Sequence, residues 1–182
     1  MNSKKFLAFA MAAAMTLSMT ACGGSGSGAA SSGTDSAAGT AFKLGGTGPL
    51  TGGASIYGLA AQRGAQIAVD EINAQGGAIQ FDLKYEDDQH DPEKAVNAYN
   101  ALKEWGMQIS LGSVTSQPGI STSALSQEDG IFALTPSASS PDVIAGKDNV
   151  YQMCFSDPNQ GLASAQYIAE QQLGEKIFII WK

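Results

Sequence analysis

The sequence predicts an α/β fold, a doubly wound parallel sheet with helices on both faces. From residue 42 onward, short apolar segments of strand-like pattern alternate with longer segments whose small and apolar residues recur at helical spacing. Glycines and Asp-Pro pairs separate the two kinds of segment. Strands that alternate with helices of this length pair in parallel through right-handed crossovers. One open sheet covered by helices is therefore the expected architecture.

The first half of the pattern contains two strands and two helices. We predict strands at residues 42–46 and 81–86 and helices at residues 57–74 and 92–105. The first helix carries small and apolar residues at helical spacing, namely Ala60, Gly64, Ile67, Ala68 and Ile72. The second helix follows Asp91, whose carboxylate can cap it, and Pro92 suits its first position. Its expected buried face consists of Ala95, Val96, Tyr99 and Leu102.

The second half repeats this rhythm. We predict strands at residues 107–111, 131–134 and 150–154, and helices at residues 118–127 and 157–172. The inward face expected for the last helix is Leu162, Ala165, Ile168 and Ala169. Residues 176–182 form an apolar, β-branched run that is typical of a strand inside a sheet. Because nothing follows to cover that strand, we expect the chain to be the N-terminal part of a longer protein.

The first 22 residues predict export. Lys4 and Lys5 precede an uncharged apolar stretch at residues 6–19, which is too short to span a bilayer. Thr20-Ala21-Cys22 follows and resembles the bacterial lipobox, with Met19 where Leu is usual. We expect residues 1–21 to be a signal peptide and Cys22 to carry the lipid. The alternative is an ordinary signal peptide with an incidental cysteine.

Residues 22–40 predict a flexible tether, because Gly, Ser, Ala and Thr bury too little apolar surface to offset the entropy of ordering. The chain has 17 acidic residues against 10 basic ones. That balance argues against nucleic acid or anionic phospholipid as the main partner. With Cys22 modified, Cys154 is left without an internal disulfide partner, so we expect it to act as a buried apolar residue.

The segments that follow the predicted strands are rich in hydroxyl groups and glycine. Ligands of open α/β sheets bind beyond the carboxyl ends of the strands, and the segments there are residues 45–57, 87–92, 112–118 and 135–141. Hydroxyls and amides at helix N-termini suit a carboxylate or another small polar group. The glycines after the first strand match neither the dinucleotide fingerprint nor a phosphate loop, so no nucleotide cofactor is expected.

The sequence contains no recognisable catalytic or metal-binding apparatus. His90 is its single histidine, and no Gly-x-Ser-x-Gly elbow is present. Asp87, Asp88 and Asp91 flank His90, but neighbours in one run seldom converge on one ion, and Asp91 is expected to cap a helix. A solvated loop is the favoured interpretation of this segment. We therefore expect no metal, no cofactor and no enzymatic activity.

Several motifs, in order, resemble the branched-chain amino-acid (Leu/Ile/Val) binding proteins, which are solute receptors of ABC transporters with the type I periplasmic-binding-protein fold. The resemblance covers residues 42–182. Its motifs are Gly48-Pro49-Leu50-Thr51-Gly52, Tyr57-Gly58, the run from Gly64 to Gly77 (GAQIAVDEINAQGG), Glu86-Asp87-Asp88, Asp91-Pro92, Ala95-Val96, Leu111-Gly112-Ser113, Thr135-Pro136-Ser137-Ala138 and Asp157-Pro158-Asn159-Gln160-Gly161.

The resemblance implies a set of ligand-binding residues. Ser116 matches the family's serine that holds the ligand carboxylate, and Tyr57 matches a tyrosine that lines the pocket. Ser137, Ala138 and Ser139 match a loop that offers carbonyls, an amide and a hydroxyl to the ligand, with Ser in place of the usual Thr. Alternatively, Ser116 and Ser139 cap helices and Tyr57 is an ordinary half-buried aromatic residue.

The resemblance also implies a domain division and a partner. Residues 41–155 would form an incomplete first lobe, and residues 156–182 would begin a second lobe. The expected function is extracytoplasmic capture of an amino acid, branched-chain type favoured, for ABC permease subunits in the membrane. The alternative is the ligand-sensing domain of a signalling receptor. Some relatives join two loops by a disulfide, and the corresponding positions here are His90 and Thr115.

Overall fold

The computed structural model describes residues 41–180, which contain a parallel sheet of five strands. These strands are β1 (Phe42–Gly48), β2 (Phe81–Asp87), β3 (Ile109–Ser113), β4 (Phe132–Thr135) and β5 (Val150–Gln152). They pair in the order β2-β1-β3-β4-β5, and every neighbouring pair is parallel. The predicted α/β class is confirmed.

Four helices connect or follow the strands. They are α1 (Ser55–Ala74), α2 (Pro92–Trp105), α3 (Ser116–Asp129) and α4 (Asp157–Glu170), with a short 3₁₀ turn at Pro141–Val143. Helix α1 packs on β1 and β2, whereas α2 and α3 pack against each other and on the sheet. The chain reverses its direction across the sheet after β2, so right-handed crossovers place α1 on one face and α2 and α3 on the other. The fold is doubly wound. Within residues 41–180, no helix has both the length and the apolar character needed to cross a membrane.

Helix α2 forms as its sequence predicts. The Asp91 carboxylate accepts a hydrogen bond from the Lys94 amide at 2.9 Å, which confirms the predicted cap. Of the predicted inward face, Ala95, Tyr99 and Leu102 are buried, and Val96 is half-buried. Tyr99 and Leu102 form a core cluster with Met107, which precedes β3.

Helix α1 turns a different face to the sheet from the one its apolar residues suggest. Gly58 and Val69 are its buried residues, whereas Ile67 is 59% exposed and Ile72 is 39% exposed. A methyl group on Gly58 would overlap the carbonyl of Pro49. The helix can therefore pack against the segment after β1 only because Gly58 has no side chain. Close approach at Gly58 decides the rotation of the helix.

Two predictions for the C-terminal part are wrong within the described residues. Residues 176–180 form no strand, because none of the five strands pairs with them and a strand exists only through such pairing. The predicted inward face of α4 is not buried, and Leu162 is 59% exposed. Ile177 and Ile179 line an open cavity of about 1030 Å³ together with Ile168 of α4, so this segment lies near α4 without joining the sheet.

Candidate functional site

The strand order creates a topological switch point between β1 and β3. The connection from β1 leads to β2 on one side, and every later connection leads away on the other side. In open α/β sheets, the crevice at the carboxyl ends of the strands beside such a point is where ligands bind. The segments after β1, β2, β3 and β4 meet at this end of the sheet.

An open cavity of about 410 Å³ lies at this position. It is lined by Tyr57, His90, Val114, Thr115, Ser116, Gln117, Ser137 and Ser139. The structure thus brings four of the five predicted ligand-binding residues together. The exception is Ala138, which does not line the cavity.

Ser116 begins α3 and joins two loops of the site. Its Oγ accepts a hydrogen bond from the Ser140 amide at 3.3 Å, which leaves the hydroxyl proton for a ligand oxygen. Thr115 is the N-cap of α3, but its side chain makes no capping bond. Pro118 carries no amide proton, so the amides of Ser116 and Gln117 are the uncapped donors at this helix end. Such an end favours an anionic group.

The loop after β4 uses its polar groups unequally. The Ser137 hydroxyl donates to the Val114 carbonyl at 2.6 Å, which ties this loop to the one after β3. Ala138 is fully buried in a core cluster with Val143, and its carbonyl accepts from the Gln152 side-chain amide. Ser139 is half-buried and lines the cavity. The ligand-binding roles of these three residues stay predictions. Ala138 is the least available of them, because its carbonyl already accepts a hydrogen bond.

Buried hydroxyls below the cavity hold the strands in register. Thr47 Oγ1 lies 2.5 Å from Ser113 Oγ, and Ser113 Oγ lies 3.0 Å from Thr122 Oγ1 on α3. The Thr135 hydroxyl donates to the Ser113 carbonyl at 2.7 Å. These contacts connect β1, β3, β4 and α3 directly beneath the site. The sequence shows hydroxyls at the strand ends, but their pairing depends on strand order, and sequence reasoning missed it.

Asp87 anchors the loop that leads to Tyr57. Its carboxylate accepts hydrogen bonds from the Leu50 amide at 2.7 Å and from the Thr51 hydroxyl at 2.5 Å. Burial acts to raise the pKa of Asp87, but these bonds outweigh it and hold the pKa below the usual value for aspartate. The ionised carboxylate therefore fixes the start of α1 relative to β2.

Asp88 is in the opposite electrostatic situation. The Asp88 side chain is fully buried, and this burial raises its pKa. The nearby charge of Asp87 raises the pKa further, whereas the hydrogen bond from the His90 amide acts to lower it. That amide reaches Asp88 Oδ1 at 2.9 Å, whereas Oδ2 has no hydrogen-bond partner within residues 41–180. The buried carboxylate holds the loop that carries His90.

His90 belongs to the cavity, which the favoured sequence interpretation of a solvated loop did not anticipate. Its side chain is exposed, yet its Nδ1 lies 3.0 Å from Thr115 Oγ1 and its ring lines the cavity. The family resemblance already suggested that His90 and Thr115 lie close together, because some relatives have a disulfide at the corresponding positions. In the described part of the chain, no three His, Cys, Asp or Glu side chains are grouped so as to hold a metal ion.

The open parallel sheet with a polar cavity at its switch point is the architecture of an α/β lobe that binds small molecules. A family model described as periplasmic binding protein matches residues 41–181. The chain belongs to this family, and its fold is that of a type I periplasmic binding protein lobe. This is a family of solute-binding proteins rather than enzymes, and membership places the protein outside the cytoplasm.

Two relatives of similar sequence are named as Leu/Ile/Val-binding proteins. The chain is 35% identical over 135 residues to the Leu/Ile/Val-binding protein BraC3 of Rhizobium johnstonii, an alignment covering 72% of this chain and 37% of that protein. It is 33% identical over 155 residues to Leu/Ile/Val-binding protein homolog 3 of Brucella melitensis, covering 84% of this chain and 42% of that one. It therefore spans about two fifths of the length of these relatives.

A solved structure shares the fold at similar coverage. The branched-chain amino acid transporter substrate-binding protein LivJ of Streptococcus pneumoniae, in complex with isoleucine, aligns with a TM-score of 0.67 and 29% sequence identity. The alignment covers 72% of this chain and 38% of LivJ.

Proposed function

We propose that this protein is the solute receptor of an ABC importer and that it captures an amino acid, with branched-chain amino acids favoured. The observation that carries the proposal is the cavity at the switch point, where Ser116, Ser139 and Tyr57 meet at the N-terminus of α3. Relatives named for binding leucine, isoleucine and valine support the choice of solute.

The groups at the cavity suit the two ends of a zwitterion. The Ser116 hydroxyl and the uncapped amides of Ser116 and Gln117 would bind the carboxylate. The ammonium group needs acceptors, and the hydroxyl oxygens of Ser139 and Tyr57 with the carbonyls of the loop after β4 are the candidates. Recognition of this kind binds the solute without changing it.

The domain division is part of the proposal. Residues 41–155 would form the first lobe and residues 156–182 would begin a second, with the solute enclosed between lobes by a hinge movement. The exposure of α4 supports this division, because α4 follows β5 yet buries none of its residues fully. The closed form would then be recognised by permease subunits in the membrane.

The membrane anchor lies outside the described residues and rests on the sequence. We propose that residues 1–21 are removed, that Cys22 carries a lipid, and that residues 22–40 are a tether. Cys22→Ala should abolish labelling by radioactive palmitate and release the protein from the membrane fraction, whereas Cys154→Ala should change neither. Equal labelling of the Cys22→Ala variant would contradict the anchor.

A thermal-shift screen followed by calorimetry tests the proposed ligand. The protein is expressed from the whole natural reading frame and incubated with leucine, isoleucine, valine, polar amino acids and small amides. Leucine, isoleucine or valine should raise the melting temperature most, because a ligand that binds only the folded state stabilises it. Binding of a sugar or nucleotide in place of amino acids, or turnover of the bound solute, would overturn the proposal.

A further inference from the structure

The His90 ring is held at the rim of the cavity by a single defined contact. Its Nδ1 lies 3.0 Å from the Thr115 hydroxyl, which is free for this role because it does not cap α3. Within residues 41–180, no hydrogen bond involves Nε2 of His90. With Nδ1 engaged, Nε2 is the ring nitrogen left for a ligand.

The backbone that presents this ring is strained and firmly anchored. Gln89 and His90 have φ angles of 52° and 62°, in the left-handed region that residues other than glycine rarely adopt. The buried Asp88 stabilises this strained backbone with two hydrogen bonds. Its Oδ1 accepts from the His90 amide at 2.9 Å, and its carbonyl accepts from the Asp91 amide at 2.9 Å. Backbone strain that a buried residue stabilises is typical of functional sites, and it suggests that the direction of the His90 side chain matters for function.

The charges around the cavity single out His90. Among the residues that line it, none is Asp, Glu, Lys or Arg, and Tyr57 and His90 are the ionisable ones. The charged side chains nearest the cavity have other partners, since Asp87 accepts from Thr51 and Lys94 of α2 donates to Gln89. Within the part described, His90 thus supplies the one imidazole ring that lines the cavity.

We propose that His90 contacts the solute directly and that its Nε2 donates a hydrogen bond to the solute's carboxylate. A carboxylate bound at the N-terminus of α3 would lie beside Thr115, which is the residue that holds the His90 ring. His90 would then select carboxylate-bearing solutes over their amides. This inference rests on the function proposed above and adds a residue to its binding site.

Calorimetry with leucine and leucinamide tests the contact, because the two probes differ only at the carboxylate. His90→Asn keeps a residue that tolerates the left-handed backbone. It should weaken leucine binding about tenfold, the loss expected for one charge-assisted hydrogen bond, and weaken leucinamide binding less, because a neutral amide oxygen is the poorer acceptor. His90→Ala, which retains no side-chain donor, should behave in the same way.

Gln89→Asn is the matched control, since it alters the adjacent left-handed residue that does not line the cavity. It should change the affinity for neither probe. Equal losses for leucine and leucinamide in His90→Asn would show that His90 only shapes the loop, and unchanged leucine affinity would remove it from the site. If the wild-type protein binds no amino acid in the preceding screen, the proposed function fails first, and the His90 contact with it.

Discussion

At the scale of single residues, Ser116 shows how one hydroxyl can serve structure and binding together. Its oxygen accepts from the Ser140 amide in the loop after β4, while its proton stays available to a ligand. Ser137 differs, because its proton is already donated to the Val114 carbonyl. The two serines therefore differ in what they can offer to a solute.

Ser116→Ala should weaken amino-acid binding by about 1–3 kcal/mol, because a buried carboxylate would lose one of its donors. Calorimetry on the protein from the whole natural reading frame measures this change. Ser121→Ala, a half-buried serine of the same helix outside the cavity lining, is the control and should bind as the wild type does. Unchanged affinity in Ser116→Ala would exclude this residue from the site.

Asp87 and Asp88 should give opposite pH dependences of stability. Burial raises the pKa of Asp88, so the folded state binds its proton more tightly than the unfolded state does. Asp88 therefore contributes stability that is present in acid and lost as the pH rises through its raised pKa. Asp87 has a lowered pKa, so its contribution is present at neutral pH and lost as the pH falls through that pKa.

Urea unfolding between acid and neutral pH checks both signs. Relative to the wild type, Asp88→Asn should gain stability as the pH rises, because an amide cannot ionise in the buried site. Asp87→Asn should lose stability at neutral pH, with the difference shrinking in acid. Parallel pH profiles for the two variants would contradict the assignment.

At the scale of elements, helix α1 shows how a local pattern predicts a helix but not its rotation. The spacing of small and apolar residues correctly indicates a helix over most of Ser55–Ala74. Which face turns inward depends on the contact between Gly58 and Pro49, which belong to different segments of the fold. A pattern within the helix cannot contain that contact.

Two glycines of α1 make this argument testable. Gly58→Ala should destabilise the protein by about 1–3 kcal/mol, because the added methyl group overlaps the Pro49 carbonyl. Gly64→Ala should stabilise it by about 0.5–1 kcal/mol, because a methyl group there meets nothing within 4 Å and alanine favours a helix. Chemical denaturation measures both changes. Equal effects would show that the approach at Gly58 does not constrain α1.

At the scale of the whole molecule, the sheet face that carries α1 is only partly covered in residues 41–180. Phe132 and Tyr151 stack there with ring centroids 5.4 Å apart, at 45% and 51% exposure. Met153 is 69% exposed beside them and borders an apolar groove of about 360 Å³, together with Leu111 and Leu134. Contiguous apolar surface of this kind promotes association.

A polypeptide of residues 41–182 should therefore self-associate as its concentration rises. Light scattering coupled to size exclusion measures this, and Tyr151→Lys with Met153→Lys should shift the population towards monomer. Ile79→Lys changes an exposed apolar residue in the connection between α1 and β2 and should have little effect. A wild-type polypeptide that stays monomeric at high concentration would contradict the prediction.

The sequence by itself determined the class of fold, the order of strands and helices up to α4, and four of the eight residues that line the candidate site. It could do so because periodicity, capping residues and turn residues act between near neighbours, and because the motif order resembles a known family. Only the tertiary structure decided that Ala138 points into the core and that His90 meets Thr115. It also decided which face of α1 is buried and that residues 176–180 pair with no strand. Each of these depends on segments that lie far apart in the chain and meet through the strand order β2-β1-β3-β4-β5.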